Sequence, residues 1–434
     1  GTMTAAQLVR RAGEQGRALR VLVFDRAAAF AAGVAYRTVD DRHLLNVPAG
    51  KMSAWPDRPD SFLDWARAQL GAQVADGDFL PRLQFGAYLR DQLRAAPGGS
   101  IELVPDDVLG VAARGPGFTV QLAGSAIDVD AAVLAIGHRQ PSDPLADRWH
   151  GPRDRFLADP WPSLDPAVIA TGDPVVILGS GLTAVDAWLT LTRTPRTAPI
   201  TLVSRHGLLP RVHASAPVAP IALDALGLPA HPTLRALTAA VHRALLDAPD
   251  WRVVIDGLRP HSARLWAGLS RSDQAAFLRH VRPLWEVHRH RMAPSIAALV
   301  DEQLRTGALR ILAGKVRTVT ASATHARLTI ALRTGGEVQL SAGHVINCTG
   351  PGHHQAQLPA PLPAMIAAGL LEPDPLGLGV LTGPAHEALA AGSPRPGLYV
   401  LGTLCKPRLW ESTAVPELRA QAETVARQVL GALG

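Results

Sequence analysis

The feature that most constrains this chain is a turn near its middle. Residues 174–178, Pro-Val-Val-Ile-Leu, form a short apolar run bounded by breakers, the mark of a buried strand. Gly179-Ser180-Gly181-Leu182-Thr183-Ala184 follows at once, and residues 185–192 read as a helix. In Gly-x-Gly-x-x-Ala the first glycine permits a tight turn and the second lets a pyrophosphate approach the backbone. The small last residue lets helix pack on strand, while the helix start offers unpaired N–H groups to the anion. Gly179, Gly181 and Ala184 are therefore expected to bind a dinucleotide. The next strand, Ile200-Thr201-Leu202-Val203, ends at Ser204-Arg205. An acid at that point would bond a free ribose 2′-hydroxyl, whereas arginine makes charge-assisted bonds to a 2′-phosphate. Ser204 and Arg205 thus predict NADPH rather than NADH.

The same pattern occurs twice. After Arg205, short strands near residues 309–312, 327–332 and 337–340 lead to a closing run, His344-Val345-Ile346-Asn347-Cys348-Thr349-Gly350. Earlier in the chain a helix carries Ala5, Leu8, Val9 and Ala12 on one face. A strand then ends in Asp25, strands near 101–104 and 118–122 follow, and Ala131-Ala132-Val133-Leu134-Ala135-Ile136-Gly137 closes the copy. Asp25 stands where a ribose-binding acid belongs, which favours an adenosine without a 2′-phosphate, as in FAD. The chain begins where the third glycine of this copy would stand, so the copy is expected to lack its first strand. Residues 206–305 fit neither copy and predict helices over 232–246 and 273–291. A strand at 398–401, Gly402 and a helix over 416–433 end the chain. The expected fold is α/β: two Rossmann-like three-layer ββα dinucleotide-binding domains, the first lacking its first strand, with a largely helical insertion. Residues 1–170 plus 341–434 are expected to form the FAD domain. Residues 171–340, with the insertion at about 206–305, are expected to form the NADP domain.

Composition narrows the chemistry. With 43 basic and 37 acidic residues, the formal charge of +6 is small for 434 residues. It suits anionic small ligands without demanding nucleic acid. Two cysteines, Cys348 and Cys405, provide neither a disulfide framework nor a CxxC pair. No apolar run approaches the roughly 18 residues of a membrane span, and no signal peptide is evident. A reduced, cytoplasmic protein with a small-molecule substrate, and no nucleic-acid or membrane partner, is expected. No metal site is expected either: HExxH is absent, and His288 and His290, two apart, do not share a helix face. No G-x-S-x-G elbow occurs, so Ser180 belongs to the dinucleotide turn and is not a nucleophile. No single residue stands out as catalytic.

Longer stretches carry a family resemblance. They are Gly33-Val34-Ala35-Tyr36, the run His43-Leu44-Leu45-Asn46-Val47-Pro48-Ala49-Gly50-Lys51-Met52-Ser53, and Trp285-Glu286-Val287-His288-Arg289-His290-Arg291-Met292. Gly402-Thr403-Leu404-Cys405-Lys406 and Trp410-Glu411-Ser412-Thr413-Ala414-Val415-Pro416-Glu417 complete the set. Together these resemble the bacterial FAD-NAD(P)-binding protein family, which is similar to the class B flavin monooxygenases, N-hydroxylating and flavin-containing. The resemblance implies an FAD-dependent oxidoreductase using NADPH, in its oxygenating form acting on an amine or sulfur nucleophile. It also implies that Gly1, Asp25 and the adjacent Arg26 serve the FAD pyrophosphate and adenosine, with Val108 at the adenine. Asn46 and Met52 would lie along the flavin, and Gly137 and Gly350 would close the two domains. Gly402 would approach the flavin phosphate side, and a helix starting near Pro416 would point at the ring. The alternatives are an NADPH:acceptor reductase or oxidase without oxygen insertion, and a non-catalytic nucleotide-binding or degenerate module.

Overall fold

Helix α1 (Thr2–Glu14) turns Ala5, Ala6, Leu8, Val9 and Ala12 to one side, and all five are buried. Strand β1 (Val21–Phe24) pairs in parallel with β2 (Ile101–Val104), Val21 opposite Ile101. Between them α2 (Ser61–Leu70) packs on α3 (Arg82–Arg94) through an aromatic cluster. Phe62 of α2, with no exposed surface, meets Phe85 and Tyr88 of α3 edge-on at centroid distances of 5.1 and 5.3 Å. Phe62→Ala is expected to lower unfolding free energy by about 3–5 kcal/mol, because packed rings around it cannot close the void. Urea unfolding checks this; a loss under about 1 kcal/mol would contradict it. A meander follows, β3 (Gly110–Arg114), β4 (Gly117–Gln121) and β5 (Ala126–Val129), and then β6 (Ala132–Leu134).

The structure, a computed structural model, describes residues 1–27, 30–95, 101–165, 167–216, 218–352 and 358–434; Pro217 of the insertion lies outside them. The chain divides into two compact units. Unit 1 comprises Gly1–Arg139, Ser262–Ala267 and His353–Gly434, and unit 2 comprises Gln140–His261 and Gly268–Gly352.

Unit 2 is built on an eight-stranded sheet. Its strands are β7 (Trp149–His150), β8 (Phe156–Leu157), β9 (Val175–Leu178), β10 (Ile200–Ser204), β11 (Leu309–Ala321), β12 (Ala326–Leu332), β13 (Glu337–Ala342) and β14 (His344–Asn347). The order is β13-β12-β11-β10-β9-β14-β8, with β7 beside β11. Strands β8, β14, β9, β10 and the first part of β11 run parallel. Every residue of β9 and β14 is buried, as expected of central parallel strands covered on both faces. Helix α4 (Leu182–Leu191) follows β9. The insertion contributes α5 (Leu234–Asp247), α6 (Trp251–Leu258), α7 (Arg282–Arg289) and α8 (Pro294–Thr306). The single helix predicted over 273–291 is interrupted. A π-helical stretch, Phe277–Val281, precedes α7, because Pro283 in the first turn lacks an N–H and crowds the preceding turn.

The chain then returns to unit 1. Strand β15 (Glu387–Ala390) pairs antiparallel with β16 (Ser393–Val400), and β16 pairs parallel with β6, Leu398 opposite Ala132. Helix α9 (Val415–Ala432) lies beside α1. Gln7 Nε2 donates to Arg419 O at 3.5 Å, Arg11 pairs with Glu423 at 2.7 Å and Arg17 donates to Leu430 O at 2.6 Å. These partners advance together, so the two helices run parallel and start at the same end. Val21 of β1 and Val133 of β6 both pack on the Leu8, Ala12, Val425 and Val429 cluster between them. Yet β1 and β6 do not pair, and among the described residues no strand of unit 1 takes the role that β9 has in unit 2. The consequence is visible in burial: all four residues of β1 are half-buried, whereas its counterpart β10 is buried through Val203.

The domain limits differ from those expected. The divisions fall at 139/140 and 352/353 rather than at 170 and 341, because β7 and β8 pair with β11 and β14, and β14 pairs with β9. Residues 262–267 leave the insertion and join unit 1. Trp266 draws them there by stacking on Trp410 at 5.0 Å and donating from Nε1 to Pro407 O at 2.9 Å.

Candidate dinucleotide-binding sites

In unit 2 the strand-turn-helix predicted from sequence is present. Gly179 has φ +110°, and a Cβ there would stand 2.3 Å from Cys348 O at the exit of β14. Its N–H donates to Val203 O at 2.8 Å. Gly181 is the N-cap of α4, with no side-chain cap and nothing within 4 Å of where a Cβ would project. Ala184 is fully buried beneath the turn. The three small residues thus have separate duties: Gly179 for close backbone approach, Gly181 for open space above uncapped N–H groups, and Ala184 for packing. Ser180 Oγ donates to Leu208 O at 2.6 Å and lies 2.8 Å from Ser204 Oγ, so its hydroxyl ties the turn to the end of β10. Gly350, at φ +85°, follows the β14 exit with open space around it. Asn347 secures that exit, donating from Nδ2 to Ser142 O and Ala158 O at 3.0 and 3.1 Å.

Beyond Ser204 the site is cationic. Arg205 is exposed, and Arg333 Nη1 donates to His206 Nδ1 at 2.5 Å. Burial first, and then Arg333, Arg205 and Lys315, hold the His206 imidazole below its ordinary value. Arg205 follows β10 directly in sequence, whereas Lys315 and Arg333, which act on the same His206 ring, come from a distant part of the chain.

In unit 1, Gly1 is the N-cap of α1 without a side-chain cap, and a Cβ on it would lie 3.6 Å from Ala135 Cβ in the β6 exit. Gly137 and Gly402, after β6 and β16, adopt φ +70° and +71°. Thr403 Oγ1 donates to Gly137 O at 2.5 Å, joining the two exits. Gln421, only 4% exposed, accepts from Gly402 N–H at 2.9 Å and donates to Ser412 O at 3.0 Å. It therefore fixes the segment entering α9, whose N-cap, Ala414, also has no side-chain cap and whose first turn holds Pro416. The starts of α1 and α9 and the exits of β6 and β16 share one end of the unit, the place where open α/β sheets bind ligands. Asp25 lies just past β1; its Oδ1 accepts from Ala27 N–H at 2.9 Å. Arg26 is exposed and lies 3.7 Å from Asp107. Met52, 1% exposed, sits in the buried cluster holding Ala5, Ala6 and Val415, while Asn46 is half-buried. Val108 packs on the Val111, Phe118 and Leu134 core.

The remaining reactive side chains are quiet. Cys405 Sγ donates to Val400 O at 3.2 Å and lies 3.7 Å from His386 Nδ1. Burial pushes that thiol up to about 12 and the Cys348 thiol higher still. Neither is a thiolate near neutrality, so neither is poised for exchange chemistry. Burial, reinforced by Arg408, pushes His386 down to about 4. The unfolded chain takes up a proton near pH 6.5 that the folded chain refuses. Stability is therefore complete above pH 6.5 and is expected to fall by about 2–3 kcal/mol as pH drops toward 4. His386→Asn, which tolerates the φ of +70° there, is expected to flatten that slope in urea titrations. An unchanged slope would contradict the assignment. The His-Arg-His-Arg run is a packing knot: His288 meets Trp251 edge-on at 4.8 Å, and Arg291 pairs with Asp256 at 2.8 and 3.0 Å.

Comparison with known proteins bears on the fold. Residues 1–139, the first segment of unit 1, match the FAD-NAD(P)-binding family. None of the curated proteins matches the chain. Among solved structures, ornithine hydroxylase (PvdA) from Pseudomonas aeruginosa is similar at a TM-score of 0.64 and 15% identity, covering 100% of this chain and 98% of that one. L-lysine 6-monooxygenase from Pseudomonas syringae gives 0.66 and 14%, covering 100% and 97%. Bacillithiol disulfide reductase Bdr (YpdA) from Staphylococcus aureus gives 0.55 and 12%, covering 99% and 94%. The chain shares the mixed α/β fold of these solved structures, with Rossmann-type units. Among the described residues no helix is long and apolar enough to cross a membrane.

Proposed function

We propose that this chain is an FAD- and NADPH-dependent monooxygenase that hydroxylates the amine nitrogen of a small molecule. The observation that supports it most is the pair of dinucleotide sites with opposite selectors, Asp25 in one unit and Arg205 in the other. Likeness over the whole chain to enzymes named for ornithine and lysine oxygenation adds the substrate class. The residues present fit both cofactors: open space and uncapped N–H groups at Gly181, and uncapped helix starts beside Gly137 and Gly402. Bound FAD would supply hydride acceptance from NADPH and activation of oxygen, chemistry that belongs to the cofactor.

The chain supplies binding and orientation. Backbone N–H groups at the starts of α1 and α4 would receive pyrophosphate oxygens. Gly402 lets the flavin phosphate side approach. The uncapped α9 start, with Pro416 in its first turn, would offer its positive end to the negative charge of a bound reduced flavin, an effect of roughly 0.3–2 kcal/mol. Gly1, Asp25 and Arg26 serve the FAD pyrophosphate and adenosine, Val108 the adenine, and Asn46 and Met52 the ring. Ser204 and Arg205 take the 2′-phosphate, and Gly137 and Gly350 keep the strand exits clear of side chains. The absence of any CxxC pair and the buried thiols favour oxygenation over thiol reduction. The same free thiols suit a cytoplasmic protein.

The test is NADPH oxidation by the flavin-loaded protein across diamines and amino acids, with hydroxylamine products assayed. Amine-dependent turnover that yields a hydroxylamine is the expected result. NADPH oxidation yielding only hydrogen peroxide, or fast transfer to quinones, would instead establish an oxidase or acceptor reductase.

A further inference from the structure

The geometry points to Lys315 and Arg333 as specificity-determining residues that join Arg205 in a cradle for a phosphate monoester, the 2′-phosphate of NADPH. This rests on the NADPH reading of unit 2 and adds residues from a different part of its sheet. Ser204, the last residue of β10, stands opposite Ala313 of β11, two positions before Lys315. The chain leaving β10 is held against the same point: Gly207 has φ +63°, and a Cβ on it would lie 3.0 Å from Ala313 Cβ. The turn after β12 is held there too, since Arg333 N–H donates to Ala313 O at 2.8 Å. Ala313 is thus a common anchor for the residues that carry Arg205, Lys315 and Arg333.

Charge gives the cradle its meaning. A guanidinium only donates, so His206 Nδ1 accepts from Arg333 and the ring is neutral, with its proton on Nε2. His206 therefore positions Arg333. Arg333, Arg205 and Lys315 all act on that one ring, and no carboxylate counters them. Among the described residues none of the three cations is in an ion pair. Cations gathered without an acid repel one another and make a site suited to an anion. The cradle stands at the end of the second strand of the unit, where the adenosine ribose is read, and not at the Gly181 turn. The ligand chemistry is therefore a phosphate ester on the ribose rather than the pyrophosphate.

Calorimetric titration of the full chain with adenosine 2′,5′-bisphosphate and with AMP tests the assignment. The wild type is expected to prefer the bisphosphate. Lys315→Gln and Arg333→Gln are each expected to weaken bisphosphate binding about tenfold and to leave AMP unchanged. His206→Leu is expected to weaken it several-fold, and His206→Gln, whose amide oxygen still accepts from Arg333, to restore it. Both lysine and arginine positions are exposed, so thermal unfolding stays at the wild-type value. Undiminished preference in Lys315→Gln and Arg333→Gln, with preference lost in Arg205→Gln, would overturn the cradle and leave the NADPH reading standing. A wild-type chain with no preference for the bisphosphate would overturn both.

Discussion

Gly179→Ala is expected to destabilise the protein by about 3 kcal/mol or more and to abolish NADPH binding, while Gly181→Ala is expected to weaken binding at least tenfold with stability unchanged. The two glycines are two residues apart and meet opposite surroundings. At Gly179 a methyl group would stand 2.3 Å from Cys348 O and 2.8 Å from Cys348 C, both backbone atoms that cannot rotate away. The φ of +110° adds strain of about 1–3 kcal/mol for any residue with a Cβ. The variant can fold only by parting β9 from the β14 exit. At Gly181 the backbone is extended, φ −80° and ψ −172°, which any residue adopts, and a methyl group would meet nothing within 4 Å. Its stability is expected to match the wild type within about 0.5 kcal/mol. The open space is nonetheless where the pyrophosphate must approach α4, so NADPH affinity is expected to fall at least tenfold, about 1.4 kcal/mol. Thermal unfolding and NADPH titration separate the two outcomes. Wild-type affinity in Gly181→Ala would mean that this space is not the pyrophosphate seat.

Gln421→Leu is expected to strip flavin from the protein. Gln421 is the bridge between the β16 exit and the segment entering α9, through its bonds to Gly402 N–H and Ser412 O. Leucine fits the volume but leaves two backbone groups without partners in a site that is 4% exposed. Each orphaned group costs about 1–3 kcal/mol, so a loss of about 2–5 kcal/mol is expected in unfolding experiments. The Gly402 turn and the α9 start also lose their fixed relation, so flavin retention drops beyond what the lost stability explains. Gln421→Glu, which keeps the acceptor for Gly402, is expected to retain more flavin than Gln421→Leu. Equal flavin content in the wild type and Gln421→Leu would contradict this role.

What could be read from sequence was local. Gly179, Gly181 and Ala184 announce themselves because strand, turn and helix are contiguous, and Ser204-Arg205 follows because β10 is short and sharply ended. The place of Asp25 just past the end of β1 was legible for the same reason. Features made by register were not. Lys315 and Arg333 reach the end of β10 only because β11 runs 13 residues, pairing first with β10 and then, past Gly314, with β12. Sequence reading ended that strand at 312. Gln421 reveals nothing in sequence, since its partners lie 19 and 9 residues away and helix periodicity marks only its buried face. The move of residues 262–267 into unit 1 hangs on Trp266 stacking with Trp410, a pairing across more than a hundred residues that no local pattern encodes. Pro283 was a visible breaker whose effect the periodicity of 273–291 concealed.

We propose that this chain holds FAD and NADPH so that hydride passes from the nicotinamide to the flavin. The most direct measurement is anaerobic mixing of the FAD-loaded protein with NADPH while the visible flavin band is followed. Rapid bleaching with NADPH, and much slower bleaching with NADH, is the expected result. A protein that takes up no flavin, or whose bound flavin keeps its colour under excess NADPH, would contradict it.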